Sequence, residues 1–238
     1  MNKLDSLLLS GDKFSEVLNS FSPSSLTLSI SFVNPFSYYT LLKHPVLNSI
    51  DMLFSDGLLH TWMHRVLFKD KGFTRASFDY SSVAHNTLLY SQTNQYRVAL
   101  IGGEADDINR AKQNVLQRYP DLNITFHRNG YFVDETDKAM CINDLEQADV
   151  IIVGMGTPLQ EQFCELIKNT YPVGKLLFTC GGFITQTAIK SDYYHPLIKK
   201  LGLRWLQRAY MHKHVRQRLM KEYPLFIFSY IRQHISKR

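Results

Sequence analysis

The sequence predicts an α/β fold: a mostly parallel sheet with helices on both faces, followed by a basic helical appendage. Three observations predict it. Short runs of β-branched and aliphatic residues recur between 97 and 180, each ends in or near glycine, and each leads into a stretch with one apolar helical face. A sheet open to water on one side would alternate apolar with polar residues; these runs are apolar throughout, as strands covered on both faces are. Composition agrees. The 238 residues, 45% hydrophobic and 20% charged, suffice for a sizeable core, and 12 Gly and 8 Pro are too few for a disordered or collagen-like chain. No apolar stretch reaches the roughly 20 residues that cross a bilayer.

Taken in order, Leu26 to Phe32 predicts a strand before Asn34-Pro35, and Tyr38 to Leu42 a short helix. Asp51 to Leu53 leads into Ser55-Asp56-Gly57, after which Leu58 to Phe68 reads as helix. Arg97 to Gly103 predicts a buried strand; Ile108, Ala111, Val115 and Leu116 then share one face of a helix that Pro120 stops. A weaker strand, Asn123 to His127, enters the loop Asn129-Gly130-Tyr131-Phe132 ahead of a helix around Asp134 to Gln147. Asp149 to Gly156 is a further strand, with Thr157 placed to cap the next helix, Pro158 at its first position and Gln160 at the capping-box position. Lys175 to Cys180 runs into Gly181-Gly182 and a short helix. The tail predicts helices from Leu203 to Lys221 and from Leu225 to His234, giving an α/β domain over 1–195 and an appendage over 196–238.

Repeated strand, glycine and helix units have a chemical consequence. Glycines at Gly102, Gly154, Gly156 and Gly181 let a ligand approach the backbone, and the following helices offer unpaired N–H groups to an anion such as a nucleotide diphosphate. In such a Rossmann-like sheet the crevice lies at the carboxyl ends of the strands. Nicotinamide or flavin fits poorly: Gly154-Met155-Gly156-Thr157-Pro158-Leu159 lacks the third glycine of the dinucleotide fingerprint, and Gly102-Gly103 does not begin one. Walker A, GxSxG and HExxH sequences are absent. His212 and His214 have no third ligand at metal spacing, and no Asp-x-Asp pair occurs, so metal-independent chemistry without a cofactor is expected. Cys141, Cys164 and Cys180 read as three small buried thiols in a reducing compartment. Met1 to Leu9 contains Asp5 and lacks a cleavage site of small residues, so a cytoplasmic location is expected.

Charge is uneven. Residues 199–238 hold eleven Lys or Arg against Glu222 alone, while the remainder is net acidic. Basic residues among Trp205, Tyr210, Tyr223, Phe226, Phe228 and Tyr230 suit an anionic membrane surface. A non-catalytic membrane or nucleic-acid binding module would explain this tail, not the glycine loops.

The motifs also stand in a recognisable order: Asn34, Ser55-Asp56-Gly57, Gly102-Gly103, Arg118 to Leu122, Asn129 to Phe132, Val153 to Glu161, Cys180 to Phe183 and Gly202 to Arg208. In this the chain resembles the bacterial WecG/TagA/CpsF glycosyltransferases, of the N-acetylmannosaminyltransferase type, over roughly residues 26–220. The resemblance implies inverting, metal-independent transfer of a hexose or hexosamine from a UDP-sugar to a polyprenyl diphosphate-linked acceptor in cell-surface polysaccharide synthesis. It also implies an enzyme peripheral at the inner face of the cell membrane, with no nucleic-acid partner. By the same resemblance Asp56 is the general base, Asn34 and Gln160 line its pocket, and Gly102, Gly130, Tyr131, Gly154, Gly156, Glu161 and Gly181 belong to loops around the nucleotide-sugar. Arg208 and Arg218, with Arg216 beside them, are the candidates for the diphosphate, which guanidinium forks bind through paired hydrogen bonds. The chain departs from the family pattern at Phe32, Leu58-Leu59, Ile184-Thr185, Arg204 and Lys213-His214.

Overall fold

A computed structural model describes residues 2–189, 210 and 213–235. Its strands are β1 (Leu8–Leu9), β2 (Leu28–Val33), β3 (Met52–Ser55), β4 (Val98–Gly102), β5 (Ile124–Arg128), β6 (Val150–Gly154) and β7 (Leu176–Thr179). The helices are α1 (Lys3–Leu7), α2 (Phe14–Ser20), α3 (Tyr38–Lys43), α4 (Leu58–Phe68), α5 (Val83–Thr93), α6 (Ala105–Arg118), α7 (Glu135–Asp144), α8 (Leu159–Thr170), α9 (Phe183–Ile189) and α10 (Lys213–Ile235). Among the described residues the strands form one seven-stranded sheet in the order β1-β3-β2-β7-β6-β4-β5, with every pairing parallel.

Successive side chains of a strand point to opposite faces, and both faces are buried. Val98 and Leu100 of β4, Val150 and Ile152 of β6, and Leu176 and Phe178 of β7 enter one cluster, whose helical side includes α2, α5, α6 and α9. Ala99, Ile101, Ile151, Val153 and Leu177 enter a second cluster with residues of α7 and α8. Val33 of β2 and Leu53 of β3 enter a third with α1, α3, α4 and α10. This double cover is why β4 and β6 are apolar at every position.

Two parts of the tail differ from the sequence-based expectation. Instead of breaking between Lys221 and Leu225, α10 passes through Pro224 without interruption. A proline inside a helix removes one backbone hydrogen bond and costs about 3 kcal/mol. Burial of Phe226 and Tyr230, exposed by only 1% and 0%, offsets that cost, since each such side chain contributes roughly 1.5–3 kcal/mol. These two rings are therefore core residues and do not meet a membrane; Tyr223 stacks obliquely on Phe36, and Tyr210 and Phe228 remain exposed. Trp205 lies outside the described residues.

A buried carboxylate ties the two ends of the chain together. Asp5 of α1 accepts hydrogen bonds from Tyr38 Oη at 2.7 Å, Tyr230 Oη at 3.3 Å and His234 Nε2 at 2.6 Å. The last two come from α10, which is thereby fixed to the body by polar bonds as well as by packing.

Candidate active site

The strand order reverses where β2 meets β7, and the carboxyl ends of β2, β3, β6 and β7 open there into a cleft of about 1230 Å³. This is the position at which open α/β sheets bind ligands. The volume exceeds the roughly 300–1,000 Å³ of a pocket for one small molecule.

Asp56 follows β3 directly. Its N–H donates to Val33 O at 2.8 Å, and Gly57 adopts φ +93° to turn the chain into α4. Ser55 holds this joint: its hydroxyl bonds His60 Nδ1 and Thr61 Oγ1, both at 3.0 Å. His60 is fully buried, and that burial pushes its pKa down to about 3. Half-buried Asp56 lines the cleft and accepts a hydrogen bond at Oδ1 from Ser77 Oγ. Arg75 Nη2 donates to the same Ser77 oxygen at 2.5 Å and pairs with Asp79 Oδ2 at 2.7 Å. The loop carrying these three residues is docked by Ala76 N–H on Ser55 O at 3.0 Å. Sequence reasoning passed over Arg75, Ser77 and Asp79. The one trace was their alternation with the apolar Ala76 and Phe78 in the sequence.

Asn34 follows β2 and lines the same cleft; its Oδ1 accepts the N–H groups of Phe36 and Ser37 at 2.9 and 3.1 Å, which leaves Nδ2 for a ligand. Across the switch point, Gln160 Oε1 accepts Gly181 N–H at 3.1 Å and so ties the loop after β6 to the loop after β7. Gly156, Thr157, Gln160 and Gly181 all line the cleft. Contrary to expectation, α8 begins at Leu159 after Pro158, and Thr157 does not cap it. Thr157 Oγ1 instead donates to Glu161 Oε1 at 3.1 Å.

The other predicted site residues stand apart from the cleft lining. Glu161 is 1% exposed; its Oε1 also accepts Ser31 Oγ at 2.9 Å and Gln160 Nε2 at 3.0 Å, while Oε2 is buried without a partner. It holds Thr157 and Gln160 in place from beneath. Gly102, Gly130 and Gly154 allow backbone to approach backbone. A Cβ at Gly102 would lie 2.3 Å from Gly154 O, one at Gly130 3.1 Å from Gly102 Cα, and one at Gly154 2.9 Å from Gly181 O. Tyr131 is exposed on its loop, and Arg216 is exposed on α10. Arg208 and the Arg218 side chain lie outside the described residues, as do His212 and the His214 side chain. Burial pushes the Cys141 thiol up to about 11 and raises Cys164 and Cys180 as well, so none presents a thiolate near neutral pH. Among the described residues no three His, Cys, Asp or Glu side chains are grouped to hold a metal, and no helix is long and apolar enough to cross a membrane.

Fold and cleft together define an α/β protein with an acid, a neighbouring arginine and glycine-bordered loops at a topological switch point. The model of the glycosyl transferase WecG/TagA/CpsF family matches residues 9–238. The chain is 38% identical, over 87% of its own length and 87% of the other's, to the UDP-Gal:alpha-D-GlcNAc-diphosphoundecaprenol beta-1,4-galactosyltransferase of Shigella boydii. It is 28% identical, over 59% of its own length and 54% of the other's, to an N-acetylglucosaminyldiphosphoundecaprenol N-acetyl-beta-D-mannosaminyltransferase of Staphylococcus aureus strain MW2. The chain belongs to the WecG/TagA/CpsF family and is a glycosyltransferase; a purely non-catalytic reading of its basic tail is set aside.

Proposed function

We propose that this enzyme transfers a sugar, with inversion, from a UDP donor to N-acetylglucosamine linked through diphosphate to a polyprenol, in the synthesis of a cell-surface polysaccharide. One observation carries the reading: Asp56 lines the same cleft as Asn34, Gly156, Gln160 and Gly181, at the carboxyl ends of four strands. The relatives name the acceptor chemistry, and the galactosyltransferase, alike over 87% of both chains, favours galactose over N-acetylmannosamine as the transferred sugar.

In this reading the donor diphosphate lies against the loop Gly156 to Pro158 and the start of α8, where unpaired N–H groups favour an anion. Ser77 occupies Oδ1 of Asp56, leaving Oδ2 to take the proton from the acceptor hydroxyl. The freed oxygen attacks the anomeric carbon from the face opposite the UDP, and the bond to the β-phosphate oxygen breaks as the new glycosidic bond forms. Arg75, held by Asp79, orients Ser77 beneath Asp56, and Arg208, Arg216 and Arg218 are proposed to hold the acceptor diphosphate. UDP-galactose and UDP-N-acetylmannosamine, each offered with a short-chain lipid diphosphate N-acetylglucosamine, test the assignment. Asp56→Asn is expected to keep donor binding and to lower transfer at least about a hundredfold. Near-normal turnover by that variant would remove the base.

A further inference from the structure

We propose that the outer face of α4, alongside that of α10, seats on an anionic lipid bilayer, so that the catalytic body itself, and not the basic tail alone, meets the membrane. The choice of occupant rests on the lipid-linked acceptor proposed above. Leu58, Trp62 and Val66 recur every four residues along α4 and are 52%, 60% and 56% exposed, forming one apolar row on one side of the helix. On α10, Met220, Phe228 and Ile231 are exposed by 79%, 67% and 38%. Soluble surfaces scatter such side chains singly; aligned ones mark an interface.

Both helices border the cleft: Leu58 of α4 lines it, as do Leu225 and Ile227 of α10, themselves exposed by 65% and 36%. They are also rigidly related. Phe226 and Tyr230 pack on His60 with ring centroids 5.7 and 5.6 Å away, and His234 packs on Phe68 at 5.1 Å.

Charge selects the bilayer over a second copy of the chain. The sequence of α10 carries Lys213, Arg216, Arg218, Lys221 and Arg232 against Glu222, and that of α4 carries Arg65 and no acid. Two such faces repel each other, whereas anionic headgroups neutralise them. Neither helix is apolar enough to span the membrane, so both lie along its surface, as amphipathic interfacial helices do. A cleft mouth held at headgroup depth would receive an acceptor whose prenyl chain never leaves the lipid.

The chain has two tryptophans, so Trp205→Phe makes Trp62 the sole reporter in the full-length protein. With phosphatidylglycerol–phosphatidylcholine vesicles carrying brominated acyl chains, Trp62 emission is expected to shift to the blue and to be quenched. Trp62→Gln with Val66→Gln is expected to weaken vesicle binding about tenfold or more, since binding scales with buried apolar area, while turnover of a short-chain, water-soluble acceptor stays unchanged. Unmoved Trp62 emission on vesicles that still capture the protein would overturn the proposal, leaving the tail as the anchor. So would a lipid-free blue shift that grows with protein concentration, which would make the face a contact between copies. Quenching without turnover of any lipid diphosphate acceptor would defeat the acceptor reading and leave the docking face standing.

Discussion

Acid weakens this fold through His60 before it titrates most carboxylates. His60 is 0% exposed among Tyr38, Phe226 and Tyr230, and burial holds its pKa at about 3 against an ordinary 6.5. A depressed histidine pKa means that, between those values, the unfolded chain binds a proton and the native protein does not. Stability is therefore fully present above 6.5 and is lost as pH falls towards 3, at up to 1.36 kcal/mol per unit. Between pH 7 and pH 5 the loss from His60 alone is about 2 kcal/mol, out of the roughly 5–15 kcal/mol that holds a typical domain folded. His64, also shifted down by burial, adds to it in the same direction. Urea unfolding at pH 7, 6 and 5 measures the effect, with an unchanged m-value excluding a change in the denatured state. His60→Gln is expected to be less stable at pH 7 but flatter with pH by about 2 kcal/mol over the same interval. Identical pH slopes in the two proteins would refute the assignment.

Other substitutions separate catalysis from scaffold. Ser77→Ala removes the hydrogen bond to Asp56 Oδ1 and is expected to lower kcat about tenfold with little change in KM, the worth of one hydrogen bond to a charged group. Because Ser77 acts through Asp56, the same change should add almost nothing in an Asp56→Asn background; additive losses in that double-mutant cycle would show an independent role. Gly102→Ala places a Cβ 2.3 Å from Gly154 O at φ +143° and is expected to destabilise by about 3 kcal/mol in chemical denaturation. Gly156→Ala meets nothing within 4 Å, so it is expected to cost only about 1–2 kcal/mol of backbone strain. Gly156 lines the cleft, so donor affinity measured by calorimetry is expected to fall further than stability does.

How much of this was readable in the chain depends on how the strands and helices are buried. Strands β4, β6 and β7 are covered on both faces, so burial writes an unbroken apolar run that cannot be taken for an amphipathic helix. Helix α5 left no such trace. Its buried face includes Thr87 and Ser91, whose hydroxyls bond back to Val83 O and Thr87 O at 2.9 and 2.8 Å, and satisfied hydroxyls can be buried where periodicity looks for hydrocarbons. Asp56, Asn34 and Gln160 were singled out only through the family resemblance, because locally Asp56-Gly57 reads as an ordinary turn and Gln160 as part of a helix cap. Arg75 and Ser77 were not, because their place in the cleft depends on long-range bonds, among them Ala76 N–H to Ser55 O and Gly11 N–H to Thr74 O, that no local spacing encodes. The glycines were found, but Gly102 and Gly154 answer to each other's backbone, a requirement that looks the same in sequence as close approach to a phosphate.

The position of α4 gives these separate observations a common mechanical basis. Its first turn begins two residues after Asp56, its buried side is locked through His60 to Ser55 and α10, and its outer side is the apolar row of Leu58, Trp62 and Val66. Whatever that row rests on is thereby held at a fixed distance from the acid, with no flexible segment between them. A tail acting as a tether would raise the local concentration of lipid acceptor and leave its orientation free. A docked α4 would set the depth and angle at which the acceptor hydroxyl meets Asp56, and such positioning reaches kcat as well as KM. Loss of the α4 row should therefore slow turnover of membrane-borne acceptor even at saturation, whereas loss of a tether would be recovered by adding more acceptor.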